Sequence, residues 1–176
     1  MDIEKKRARI LWIAKYNGGF VAVGGVLCLL CSLRWFTLVG VLIGLALIAS
    51  AYLELSGRRR LKQGRPEAGR RLGGSQIVLL VAIVLYCGYN LLLVDPLREM
   101  KKELSDLPPD NREQLTQALD MQSVQEGVPK IFRYFYLGLI GGTVLYQGGF
   151  WLYYTHGARA IVRAASAESQ EETGKP

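Results

Sequence analysis

Four long uncharged stretches punctuate the chain. Residues 17–33 (NGGFVAVGGVLCLLCSL), 36–53, 75–94 and 134–155 contain no Asp, Glu, Lys or Arg, and the last two are 20 and 22 residues long. A helix advances about 1.5 Å per residue, so roughly 20 residues cross a hydrocarbon layer about 30 Å thick. Strands of a membrane barrel would alternate apolar and polar residues over about ten positions. These stretches are instead apolar on every side, and in lipid each backbone N–H and C=O must find its partner within the segment. The pattern therefore predicts an all-α fold, an integral membrane four-helix bundle. The first stretch is short, but residues 10–16 (ILWIAKY) extend it, with Lys15 reaching toward the headgroups. A cleaved signal peptide is not expected, because the next apolar stretch follows SLRW at once.

Between the third and fourth stretches the pattern changes. Leu97, Met100, Leu104 and Leu107 recur at helical spacing before Pro108 and Pro109. Asp110 stands three residues before Glu113, as in a capping box, and Leu115, Ala118, Leu119 and Gln122 continue a second amphipathic run that Gly127 and Pro129 are expected to end. Seven segments result: a basic N-terminal segment (1–16), a first transmembrane hairpin (17–55), a basic loop (56–74), a third span (75–94), a helical cap (95–133), a fourth span (134–156) and a polar tail (157–176).

Charge orients these segments. Of the 22 Lys and Arg, five lie in residues 1–16, Arg34 alone lies between the first two spans, and seven lie in residues 56–74. Residues 95–133 hold six against eight Asp and Glu. Positive charge flanking spans stays on the cytoplasmic side. The expectation is an inner-membrane protein with both termini and the 56–74 loop cytoplasmic, and with the cap outside. Arg58, Arg59, Arg60, Lys62, Arg65, Arg70 and Arg71 are then topogenic anchors beside anionic lipid headgroups. Nucleic acid is not an expected partner despite the net charge of +7, because the basic loop has no interleaved aromatic residues.

The two halves share a pattern. RWFTLVGVLIG starts at Arg34 and RYFYLGLIGG at Arg133, while Gly57-Arg58-Arg59 matches Gly157-Ala158-Arg159. The offsets differ by one residue, as in a parallel repeat of one hairpin.

Chemistry is bounded by what is missing. His156 is the only histidine, so a bis-His haem site or a histidine-rich metal site cannot be built within the chain. No cofactor is expected. Glycine-rich phosphate cradles and nucleophile elbows are lacking, and Gly73-Gly74-Ser75-Gln76 completes neither. Glu54 ends the second stretch, and its i,i+4 spacing to Arg58 predicts a surface ion pair. Cys28 and Cys31 form C-x-x-C, as in quinone-linked thiol oxidoreductases of the membrane, but only Cys87 remains to serve as a second redox pair.

Packing signals are stronger. Gly40 and Gly44, and again Gly138 and Gly142, have the spacing that lets helix backbones approach. Thr143 and Gln147 follow on the same helix as hydrogen-bonding groups. These six residues are the expected helix-packing or partner contacts. The functional expectation is a non-enzymatic structural or accessory subunit of a membrane complex, contacting other membrane subunits or a copy of itself. A small dimeric transporter or channel is the alternative, and a quinone-linked thiol oxidoreductase the third.

Overall fold

In the computed structural model, residues 3–34, 37–108 and 121–173 are described, and they form five helices and no strand. These are α1 (Ile3–Arg34), α2 (Leu38–Lys62), α3 (Ala68–Leu93), α4 (Pro96–Ser105) and α5 (Met121–Thr173). Three of them, α1, α2 and α3, are long and apolar enough to cross a membrane. At 32, 25 and 26 residues they measure about 48, 38 and 39 Å, longer than a hydrocarbon layer. Large apolar side chains lie bare along them, Phe20 at 82% exposure and Leu92 at 83%, as lipid-facing residues do.

The helices run further than the charge boundaries suggested. The basic N-terminal segment belongs to α1 from Ile3 onward, and the 56–74 loop shrinks to a turn over residues 63–67. That turn has a local cause. Gly64 adopts φ 67°, a left-handed conformation that glycine takes without steric cost. Arg65 N–H then bonds to Arg60 C=O at 3.0 Å and Gly64 N–H to Leu61 C=O at 3.2 Å, which closes the last turn of α2 in a Schellman arrangement. Arg60 and Glu67 form an ion pair across it.

The cap also differs from expectation. Helix α4 begins as its sequence implies: Asp95 accepts from Leu97 N–H at 3.0 Å and Arg98 N–H at 3.4 Å, with Pro96 in the first turn. The second amphipathic run, including the capping box at Asp110 and Glu113, falls largely outside the described residues. Gly127 and Pro129 do not end it. Helix α5 passes through both and continues for 53 residues, joining the end of the expected cap, the fourth apolar stretch and most of the polar tail. A proline interrupts a helix by removing one N–H and crowding the carbonyl four residues back. Breaking the helix beside an apolar run would leave several such groups unpaired, the larger cost where water is scarce.

Contacts divide the chain into two units. The larger comprises Met1–Val84 with Thr143–Pro176, and the smaller Leu85–Gly142. In the larger unit, Ile10 and Ala14 of α1, Leu61 of α2, Leu72 of α3, and Tyr154, Ala158 and Ile161 of α5 form one buried cluster. Helices α1 and α2 approach closely through glycine. A Cβ on Gly44 would stand 2.7 Å from Leu29 Cγ and 3.1 Å from the Gly25 carbonyl oxygen, and one on Gly25 2.9 Å from Ile48 Cγ1. The smaller unit gathers aromatic rings: Tyr136 meets Tyr86 edge-on at 6.3 Å, and Phe132 and Phe135 at 4.7 and 5.2 Å.

Residues of α2 and α5 that lie 100 positions apart come together in the larger unit. Glu54 touches Tyr154, 100 positions later. Gly57 packs against Leu72, and Gly157, at the same offset, against Ile10. Leu61 and Ile161 occupy the same buried cluster.

Candidate functional site

The larger unit holds a fully buried carboxyl group, that of Glu54. Buried positions on α2, Ser50, Ala51, Glu54, Gly57 and Leu61, recur at helical spacing, so Glu54 lies on the inward stripe of its helix. Its exposure is 0%. Asn17 Nδ2 of α1 donates to Oε2 at 2.8 Å and to Oε1 at 3.0 Å, and Tyr154 Oη of α5 donates to Oε1 at 2.7 Å. One carboxyl group therefore joins three helices. A buried carboxyl group is costly unless hydrogen-bonded, and bonds to a charged group contribute about 1.5–3 kcal/mol each. The expected pair with Arg58 does not form. Arg58 Nε donates instead to the Leu11 carbonyl at 3.0 Å, while the Glu54 oxygens are taken by Asn17 and Tyr154.

A second polar link lies between α2 and α3. Ser50 Oγ donates to the Ser75 carbonyl at 2.9 Å, Ser75 Oγ to the Leu72 carbonyl at 2.7 Å, and Gln76 Nε2 to Ser75 Oγ at 3.1 Å. Among the described residues, Gln76 Oε1, Gln147 Oε1 and Tyr153 Oη are buried polar atoms without a hydrogen-bond partner.

The remaining expected site residues fall into distinct roles. Gly40 and Gly44 pack within the α1–α2 hairpin, Gly40 against the Ser32 side chain, rather than against the fourth apolar stretch. Gly138 and Gly142 are open: a Cβ on either would meet nothing within 4 Å. Thr143 and Gln147 are buried, at 9% and 5% exposure. Among the basic residues, Arg59, Arg60, Arg65 and Arg71 line one cavity of about 510 Å³, and Arg70 and Arg71 line another of about 580 Å³ with Glu67. The Lys62 carbonyl accepts from Arg7 Nη2 at 2.8 Å, tying the start of α1 to the end of α2.

The thiols do not assemble into a redox centre within either unit. Cys28 Sγ points at the Gly40 carbonyl at 3.4 Å, Cys31 is exposed and Cys87 is buried, all three as free thiols. Among the described residues no group of His, Cys, Asp or Glu is placed to hold a metal ion.

Sequence reasoning missed the Glu54 centre because its place at the end of an apolar stretch and its i,i+4 spacing to Arg58 both favour a surface ion pair. The available signal was the stripe of small residues around it, Ser50, Ala51 and Gly57, which marks a helix face meant for close packing. No family model, curated protein or solved structure matches this chain.

Proposed function

We propose that this protein is a non-enzymatic, four-span subunit of a membrane complex, held in the inner membrane with both termini and the α2–α3 turn in the cytoplasm. The fourth span is residues 134–155 within α5, uncharged over 22 residues and continuously helical. Its role is to receive a transmembrane helix of another polypeptide on one face of α5. The observation that carries this reading is the contrast between glycine pairs: Gly138 and Gly142 have no neighbour, and with Gly141, Leu145 and Gly149 they continue an exposed stripe. Lipid tails pack on leucine as well as on glycine, so a bare glycine face gains contact only from a close helix.

The test is replacement of Gly138 and Gly142 together by Leu in the full chain. The variant is expected to remain folded and protease-resistant yet to lose its partner on purification in mild detergent. Retention of every partner, or a wild-type protein that is a solitary monomer in native membranes, rejects the subunit role.

The transporter alternative draws on Glu54, an ionisable group inside the helix cluster, where such residues serve transport in other membrane proteins. Its oxygens are occupied by donors from two other helices, which favours a structural clamp. Glu54→Gln separates the two readings. If assembly is normal but solute flux in reconstituted vesicles is abolished, the transporter reading is the better one.

A further inference from the structure

The basic turn between α2 and α3 encloses more than a diffuse positive field. Arg59, Arg60, Arg65 and Arg71 line its cavity of about 510 Å³, within the range of about 300–1,000 Å³ typical of small-molecule sites. No carboxylate is among the described residues lining it. Two of the four guanidinium groups are fixed by the protein: Arg60 pairs with Glu67, and Arg71 Nη1 donates to Ser56 Oγ at 3.1 Å. The cavity is therefore cationic even after the one ion pair is counted.

The cavity wall has a second character. Leu55 and Tyr52 stand one and two turns before Arg59 on the same face of α2 and line the cavity with it. Both are exposed, at 40% and 67%, on a helix apolar and long enough to cross a membrane. A free phosphate would engage the arginines and leave this apolar wall bare. A phospholipid matches both parts, with its phosphate on the guanidinium groups, which bind phosphate oxygens in pairs, and an acyl chain along Tyr52 and Leu55. A choline or ethanolamine headgroup would bring a cation into a lining that offers it no carboxylate. We propose that the cavity at the α2–α3 turn is a binding site for one anionic phospholipid, held through its phosphate.

The experiment uses the full chain, purified, stripped of lipid and titrated with phosphatidylglycerol or phosphatidylcholine, with bound lipid counted by native mass spectrometry. Wild type should retain one phosphatidylglycerol in preference to phosphatidylcholine. Arg59→Gln with Arg65→Gln, which leaves the Arg60 and Arg71 contacts in place, should weaken that binding by about tenfold or more. Lys101→Gln with Lys102→Gln on α4 removes the same charge elsewhere and should leave binding unchanged. Undiminished binding in the arginine variant, equal loss in the lysine control, or no preference between the two lipids overturns the proposal. So does displacement of the lipid by millimolar inorganic phosphate, which would make this a free-anion site.

Discussion

Two glycine pairs of identical spacing meet opposite fates in this molecule. Gly40 and Gly44 are consumed by the α1–α2 hairpin, where Gly44 sits so close to Leu29 and the Gly25 carbonyl that no larger residue fits. Gly138 and Gly142 face nothing within the reach of a methyl group. Spacing alone announces that a helix can be approached. Whether the approaching helix belongs to the same chain depends on what the rest of the sequence puts opposite. Helix α1 supplies its own glycines at 18 and 25 to meet α2, with Gly18 close to Leu55 and Gly25 close to Ile48, so that pair is satisfied internally.

Substitutions can sharpen this difference. The largest expected effect is Gly44→Leu, which forces a branched side chain into packed atoms that include backbone and should cost about 3 kcal/mol or more. A denaturation titration in detergent would measure it, and near-wild-type stability would mean the hairpin is looser than its contacts. Glu54→Ala comes next. It leaves Asn17 and Tyr154 donors facing a gap, with an expected loss of about 2–4 kcal/mol, about 1–2 kcal/mol for each donor left without its acceptor. A loss no greater than that of a surface substitution would return Glu54 to the lipid boundary.

Smaller effects grade the packed glycines. Gly57→Ala would place its Cβ 2.9 Å from Leu72 Cγ and 3.0 Å from Leu72 N, a backbone atom that cannot step aside. Gly157→Ala meets the flexible end of Ile10 instead, at 2.6 Å from Cδ1. The first should cost about 1–2 kcal/mol and the second less, despite its shorter contact. The reverse order in the same titration would remove backbone rigidity as the deciding factor. At the far end of the scale, Gly142→Ala should leave the isolated protein unchanged or stabilise it by up to about 1 kcal/mol, because alanine favours helix. Measurable destabilisation in the isolated chain would show that this face is already occupied within it.

The sequence spoke clearly where composition decides and poorly where direction around a helix decides. Long uncharged runs required helices, and three have the length and apolarity to span. The sequence places the α2–α3 turn too broadly because charged residues such as Arg58 and Arg60 read as loop, although Gly64 is the local breaker and the last turn of α2 is built on Arg60 and Leu61. Pro129 reads as a stop, although a single missing N–H is cheaper than an unwound segment next to an apolar run. The burial of Glu54 is not legible from charge spacing along one helix, which cannot report that the residue's face is the buried one. The spacing of Gly57 and Gly157 is legible in the sequence, whereas their neighbours, Leu72 and Ile10, emerge only from packing.

The most direct test of an internally closed hairpin beside an open α5 face is site-specific photo-crosslinking in native membranes. Leu145 and Leu92 are both highly exposed, at 79% and 83%, but only Leu145 lies on the glycine stripe. A photoactivatable residue at position 145 is expected to yield a defined adduct with another polypeptide, while the same residue at position 92 yields adducts with lipid. Lipid adducts alone at position 145 would contradict a partner helix on that face.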